Sequence, residues 1–286
     1  MPISINTNIA SLRGQRFLNN TSDNLSNTYS KLSSGKRINR ASDDAAGLAI
    51  ADSLRRSQKI AGVAVRNAQD GISTVSIADG ALEQVSGFLQ RLSELAQQAA
   101  SGSYTNEQRE AMQGEFTALG SEIERIAVTT VFNGVALLSG GNQLILQIGF
   151  DSKSTSQLVI EQPTATLAGL GLANTGQSFF SYSLTGNTVE QGMSSARAAM
   201  DGISGALQSM NVLRGGLGSA ESRLISAVSN LQVARENLLA AESRIRDVDV
   251  ATEAAELTRL NILQQTGAAI LAQANQQPQL ALTLLR

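Results

Sequence analysis

The chain has 286 residues, a formal net charge of −2, and neither cysteine nor histidine. The balanced charge gives no general basic field for nucleic acid or an acidic membrane. The missing residue types exclude disulfides, Ser-His-Asp and Cys-His catalysis, and most zinc sites. No apolar run reaches the roughly 18 residues that a membrane-spanning helix requires. With 25 glycines and only 3% aromatic residues, the composition favours slender helix packing over a thick core.

The N-terminal segment carries an apolar stripe typical of an amphipathic helix. Leu18, Leu25 and Leu32 recur at seven-residue intervals, and Tyr29 lies between the last two. Because the segment cannot bury this stripe alone, we expect it to pair with another helix. Its first residues have neither a basic start followed by an apolar run nor a small-residue cleavage site. No general secretory signal is therefore visible, and the chain is expected either to be soluble or to leave the cell by a route that uses no cleaved signal.

A very long helix is predicted after Ser42-Asp43-Asp44, which forms a good N-cap with acidic residues in the first turn. Beyond it, small and apolar residues follow one another by alternating steps of three and four. This spacing predicts one helix roughly 80 Å long in a left-handed coiled arrangement, ending at Gly102. The predicted buried seam comprises Gly47, Ile50, Leu54, Ser57, Ala61, Ala64, Ala68, Gly71, Val75, Ala78, Leu82, Val85, Leu89, Leu92, Ala96 and Ala99.

A shorter, antiparallel helix should follow, because Thr105 and Gln108 match a capping box and the apolar period continues to Ile126. Asn133-Gly134 then indicates a turn. Apolar residues alternate with period two in the next segment, which predicts a half-buried β-hairpin near 142–161. The alternating residues are Leu144, Leu146, Ile148 and Phe150, then Leu158 and Ile160.

The stretch near 164–188 is rich in Gly, Ser and Thr, which is typical of a loop or weak strand at the outer tip, and we expect a short outer loop that faces solvent. A second very long helix is predicted from Val189, with a strong heptad register. That register is formed by Ile203, Met210, Leu217, Leu224, Leu231, Leu238 and Ile245. Three glycines between 215 and 218 favour a kink or break within this helix.

The C-terminal segment predicts an uncharged helix, because no charged residue occurs from Leu260 to Leu285. Leu263, Ile270 and Leu271 mark its apolar face. An uncharged helical tail in such a chain is expected to be buried between molecules. The charges of residues 1–40 are mainly basic and those of 247–286 mainly acidic, but exposed charges of this kind are more often simply solvated. Pairing of the two ends is therefore expected from the apolar stripes.

These patterns predict a mainly α fold: an elongated coiled-coil or helical-bundle rod with a small β-hairpin region and paired terminal helices. Short motifs at both ends, in order, resemble those of bacterial flagellin, the subunit of the flagellar filament. The N-terminal motifs are Ile5-Asn6-Thr7-Asn8, Leu32-Ser33-Ser34-Gly35, Arg37-Ile38-Asn39, Asp43-Asp44-Ala45-Ala46-Gly47, Asn67-Ala68, Asp70-Gly71-Ile72-Ser73 and Phe132-Asn133-Gly134. The C-terminal motifs are Ser243-Arg244-Ile245, Ala251-Thr252-Glu253, Ile262-Leu263-Gln264-Gln265, Leu271-Ala272-Gln273-Ala274-Asn275-Gln276 and Leu284-Leu285-Arg286.

The resemblance implies a short flagellin that lacks the large variable outer domains. It implies that residues 1–43 and 244–286 form an inner coiled-coil domain, and residues 44–243 an outer helical rod carrying the hairpin and loop. Such a protein is not an enzyme and needs no cofactor, metal or catalytic site. It polymerises with itself outside the cell. Its implied partners are a flagellar export chaperone, the hook-filament junction proteins, the filament cap and the flagellin-sensing Toll-like receptor.

Two alternatives share parts of this pattern. A hook-filament junction protein carries weaker forms of the terminal motifs and should form a capped ring or short stack. A secreted coiled-coil effector or toxin that only borrows the export route should be monomeric and active alone.

Three kinds of site are expected. Leu18, Leu25, Leu32, Leu263, Ile270 and Leu271 should form the inner coiled-coil assembly contacts. The segment 90–96 resembles the flagellin stretch seen by the Toll-like receptor, which implies contacts through Arg91, Leu95 and Glu115. A subunit contact within the filament is the alternative role for these three, and both roles can hold. By analogy with many flagellins, the loop hydroxyls of Ser152, Ser154, Thr155, Ser178 and Ser181 are candidates for O-glycosylation, ordinary solvated loop being the alternative.

Overall fold

The computed structural model describes residues 7–141, 143–174 and 177–284, with side chains described as far as residue 277. The chain is mainly helical, which confirms the expected fold class. The helices are α1 (Ile9–Ser34), α2 (Ala45–Ala99), α3 (Asn106–Thr129), α4 (Val189–Arg246) and α5 (Val250–Leu284). The strands are β1 (Val131–Phe132), β2 (Val135–Ala136), β3 (Gln143–Gln147) and β4 (Gln157–Glu161). No helix in the described ranges is both long and apolar enough to cross a membrane.

The described contacts divide the chain into two compact units. The terminal unit lies within residues 1–58 and 236–286, and the central unit within residues 59–235. In the terminal unit α1 packs along α5. Two local signals fix the ends of α1: the Asn8 side chain accepts a hydrogen bond from Ser11 N, and Gly35 adopts a left-handed C-cap with φ +68°.

The core of the central unit follows the predicted seam on α2. Every seam residue from Ala61 to Ala99 is buried. On α4 the predicted heptad is also buried from Ile203 to Leu231. The seam fails nearer the start of α2, where Ile50 is 55% exposed and Ala51 is buried instead. A small alanine thus occupies the packed face in this part of the terminal unit.

The predicted caps and turn are confirmed. Asp44 begins α2, since its Oδ1 accepts a hydrogen bond from Gly47 N at 2.8 Å. Thr105 and Gln108 form the reciprocal capping box of α3. Asn133 and Gly134 have φ values of 49° and 79°, which suits the two-residue turn between β1 and β2.

The hairpin is confirmed as an antiparallel pair of β3 and β4. Leu158 and Ile160 face the core, at 4% and 6% exposure. A Cβ at Gly71 would lie 2.3 Å from Leu146 Cδ1, so the glycine leaves room for this side chain of the hairpin against α2. The alternating pattern extends beyond the strand, because β3 ends at Gln147 and the half-exposed Phe150 lies in the connecting loop. Residue 142, the first of the predicted hairpin range, lies outside the described residues.

Two expectations were wrong. The break expected in α4 is absent, because the helix is continuous through Gly215, Gly216 and Gly218. Each glycine costs about 1 kcal/mol relative to alanine, but the buried Leu217 and its neighbours outweigh this cost by packing.

The stretch near 164–188 is not a solvent-facing loop, although its residues 175 and 176 lie outside the described part. Its buried side chains are Ala165, Leu167, Leu170, Leu172 and Leu184. Phe180 also packs against Phe116, with ring centroids 4.9 Å apart. These residues are spaced irregularly, so they produced no periodic signal in the sequence.

Candidate functional site

The α1–α5 pair uses glycines where leucines of the opposite helix pack. A Cβ at Gly14 would lie 3.0 Å from Leu271 Cδ1, and a Cβ at Gly267 would lie 3.5 Å from Leu18 Cδ1. Leu25 is only 8% exposed, midway along α1. The structure thus places three of the predicted assembly leucines, Leu18, Leu25 and Leu271, in the helix pair. The glycines were missed in the sequence, where their position opposite a leucine cannot be read from one helix alone.

Uncharged polar groups complete the pairing. Asn8 Nδ2 donates to Ala274 O at 2.8 Å, and Ser11 Oγ donates to Asn275 Oδ1 at 2.7 Å. Among the described side chains, no salt bridge joins α1 to α5, since Arg259 of α5 pairs within its own helix. The pair is therefore held by apolar packing and neutral hydrogen bonds, as the stripes predicted.

Pairing leaves much apolar surface uncovered in the terminal unit. Ile270 is 65% exposed although it belongs to the predicted assembly set, and Leu32 and Leu263 are only half-buried. Other large apolar side chains are exposed on the same two helices: Ile9, Leu12, Phe17, Tyr29, Val250 and Ile262. This exposure is what two helices covered by neighbouring molecules would show in the single chain.

The predicted receptor contacts divide into a surface pair and a core residue. Arg91 Nε donates to Glu115 Oε1 at 2.9 Å, and Arg91 Nη1 donates to Glu94 Oε2 at 2.9 Å. These hydrogen bonds, that of Glu115 first, raise the pKa of the Arg91 guanidinium. Leu95 is only 2% exposed and packs in the core, so its side chain is not presented at the surface. Its position three to four residues from Arg91 suggested a shared face, but the core seam on α2 is wide enough to include it.

The five candidate glycosylation residues are all exposed. Ser152, Ser154 and Thr155 lie in the connection between β3 and β4. Ser178 and Ser181 lie in the stretch near 164–188. The Oγ of Ser181 accepts a hydrogen bond from Asn174 N at 3.1 Å. The side chains of all five are accessible to a modifying enzyme.

Comparison with known proteins agrees with this geometry. Residues 5–143 match the family described as the bacterial flagellin N-terminal helical region, and residues 200–285 match the bacterial flagellin C-terminal helical region. The chain belongs to the bacterial flagellin family. It is 41% identical to a flagellin of Halalkalibacterium halodurans over 99% of both chains, and 39% identical to a flagellar filament 33 kDa core protein of Treponema phagedenis over 99% of both.

A solved structure supports the fold alone. It is provisionally described as a flagellar hook-associated protein from Vibrio parahaemolyticus, and it aligns with a TM-score of 0.58 at 14% identity, covering 72% of this chain and 100% of its own. As a flagellin, the chain is a structural subunit of the extracellular flagellar filament and not an enzyme.

Proposed function

We propose that this flagellin polymerises through its terminal unit, with the α1–α5 pair as the inner coiled coil of the filament. The observation that carries the proposal is the set of large apolar side chains left exposed on two helices that are already paired. Neighbouring copies would bury these side chains in an open helical assembly, and burial contributes roughly 25 cal/mol per Å². In this proposal residues 1–43 and 244–286 form the inner domain, and 44–243 the outer rod.

Seeded polymerisation of two matched variants tests the proposal. Ile270→Asp places a charge on the exposed apolar face of α5, whereas Gln265→Asp places the same charge on nearly the opposite side of the helix. Both positions are exposed in the single chain, so both variants should keep the helicity and secretion of the wild type. Electron microscopy should show fibres from Gln265→Asp and none from Ile270→Asp. Normal fibres and retained motility with Ile270→Asp would refute the proposal. Rings or short stacks from the wild type would instead favour a junction protein.

We further propose that the chain leaves the cell unfolded through the flagellar export apparatus, without cleavage of a signal. An export chaperone, the hook-filament junction proteins and the filament cap would be its partners during assembly. The uncharged, Gln-rich C-terminal segment supports this, because such a segment can remain unfolded until neighbouring copies cover it. Mass spectrometry of the secreted protein tests the signal, since cleavage would remove the N-terminal residues.

Receptor recognition is proposed for the free monomer only. Arg91 and Glu115 are half-exposed and ion-paired, so both are presented at the surface for a partner. A double variant that combines Arg91→Glu with Glu115→Arg would keep the ion pair but reverse both charges. Loss of signalling by the Toll-like receptor, with an unchanged fold, is the expected result; unchanged signalling would contradict it. O-glycosylation at the exposed hydroxyls is tested by the intact mass of the secreted chain, which should exceed the sequence mass.

A further inference from the structure

One dipeptide of the central unit combines a reactive sequence with an exposed turn. Asn133-Gly134 is the only place in the sequence where asparagine precedes glycine. Such a dipeptide readily closes to a five-membered succinimide, because glycine has no Cβ to obstruct attack by its amide nitrogen on the asparagine side chain. The two residues form the turn between β1 and β2, and the pair that flanks them is Phe132 and Val135.

Neither reacting group of this turn is protected. Asn133 and Gly134 are both exposed, and a Cβ at Gly134 would meet no atom within 4 Å. Within the described part of the chain, neither the Asn133 side chain nor the Gly134 N–H takes part in a hydrogen bond. The turn is held only by the pairing of two strands of two residues each, and so short a hairpin opens at little cost. Both groups can therefore reach the geometry of attack without unfolding of the central unit.

Three comparable dipeptides lie where the same reaction is blocked. Aspartate before glycine also forms a succinimide, with loss of water instead of ammonia. Asp70-Gly71 and Asp79-Gly80 lie within α2, and Asp201-Gly202 lies within α4. Inside an α-helix the glycine N–H donates to the carbonyl oxygen four residues earlier, so its nitrogen is not free to attack. A reaction at these sites first requires a packed helix to open, which costs far more than opening a short turn.

We propose that Asn133 is a site of spontaneous deamidation in the folded chain. Hydroxide removes the proton from Gly134 N, and this nitrogen attacks Asn133 Cγ. The new N–Cγ bond forms as the Cγ–Nδ2 bond breaks and ammonia leaves. Water then opens the succinimide: attack at Cγ leaves aspartate in an unchanged main chain, and attack at the main-chain carbonyl carbon leaves isoaspartate. The net reaction consumes one water and releases one ammonia, with no oxidation or reduction.

The two products change the turn in different ways. Each adds one negative charge to an exposed position. Both φ values of the turn are positive, 49° and 79°, as type I′ requires, and aspartate before glycine suits that turn as well as asparagine does. Isoaspartate instead adds a methylene group to the main chain, which lengthens a connection that is built for two residues. The proposal goes beyond the proposed function, because it concerns the central unit of a single chain and requires no second copy.

Peptide mass spectrometry, with an isoaspartyl methyltransferase assay, tests the proposal on the full-length chain. The chain is incubated at one mildly alkaline pH in buffer and in guanidinium chloride, and the rate at each dipeptide is measured in both. Each site is compared with itself, so the different intrinsic reactivities of asparagine and aspartate cancel. The folded chain should react at Asn133 within ~10-fold of the unfolded rate, and at least ~100-fold more slowly than unfolded at the three Asp-Gly sites. Equal slowing at all four sites would overturn the proposal.

Asn133→Gly supplies the matched control. Gly-Gly is also favoured in type I′ turns, so this variant should keep the hairpin and the urea midpoint of the wild type, but it has no side-chain amide to lose. Anion-exchange chromatography of the aged wild type should resolve acidic species that carry the modification at position 133. Those species should be absent from the aged variant. Equal amounts in both proteins would overturn the proposal, because the added charge would then arise elsewhere in the chain.

Discussion

Two glycines on α3 should respond to the same substitution with opposite signs. A Cβ at Gly120 would lie 1.9 Å from Phe180 Cε2 and 2.0 Å from its Cδ2. A Cβ at Gly114, six positions earlier in the same helix, would meet no atom within 4 Å. Both residues lie in the helix interior, so alanine gains about 1 kcal/mol of intrinsic helix stability at either position. The difference between the variants therefore isolates the close packing of Phe180.

The magnitude at Gly120 follows from displacement of the Phe180 ring. Overpacking a filled core costs about 1–3 kcal/mol, and separating Phe180 from Phe116 forfeits a further 0.5–1.5 kcal/mol or so. After the helix gain of about 1 kcal/mol is subtracted, Gly120→Ala should lower the free energy of unfolding by about 2 kcal/mol. Gly114→Ala should raise it by about 1 kcal/mol. The expected gap between the two variants is thus about 3 kcal/mol.

Urea unfolding of the monomer, followed by circular dichroism and by fluorescence of the tyrosines, measures this gap. A second substitution, Phe180→Leu, should recover much of the stability in the Gly120→Ala background, because the smaller side chain no longer meets the new methyl group. Equal midpoints for Gly120→Ala and Gly114→Ala would refute the reasoning. Equal midpoints would mean that Phe180 of the 164–188 stretch does not pack against Gly120 of α3.

Three further changes test other parts of the chain. Arg109 is fully buried and donates to Ala99 O at 2.8 Å, so Arg109→Met should lower the free energy of unfolding by on the order of 3 kcal/mol in urea titration. A hydrogen bond from Arg214 lowers the pKa of Asp79, so its contribution to stability is present above the unfolded value near 4 and lost as pH falls through the lower folded value. Thermal unfolding of Arg214→Met should accordingly show a smaller loss of stability than wild type as the pH falls below about 4. Deletion of residues 260–286 should abolish fibres in electron microscopy while the central unit keeps its cooperative unfolding.

The long helices could be predicted because their packing repeats. A seam of small and apolar residues on α2 and a seven-residue register on α4 each involve many residues, so single exceptions such as Ile50 do not obscure the pattern. Caps are equally local: Thr105 and Gln108 satisfy each other within one turn. Elements whose contacts join residues close together in the chain could therefore be predicted from the sequence.

Contacts between distant segments could not be predicted in the same way. Phe180 is adapted to Gly120, and Leu271 to Gly14, but neither glycine differs in sequence from those with open space above them. The burial of Leu95 was missed for a related reason, since the width of a buried face depends on how many neighbours surround the helix. The hydrogen bond from Arg37 to the end of α4 could not be predicted either, because its acceptor is a backbone carbonyl group and has no side-chain signature.

The absence of charge in the C-terminal segment is physically consistent with the proposed assembly. A face that is solvated in the free chain and buried in the polymer must be tolerable in both states. Charged residues would suit the first state, but burying each one unpaired would cost several kcal/mol. Glutamine and asparagine avoid this, because they are solvated in the monomer and can form neutral hydrogen bonds with neighbouring groups, as the exposed Asn275 already does with Ser11. The exposed Ile262 and Ile270 then supply the gain on burial. In this proposal the amide residues of α5 keep the free chain soluble, and its exposed isoleucines stabilise the polymer. A single aspartate at Ile270 should therefore disable assembly without unfolding the chain.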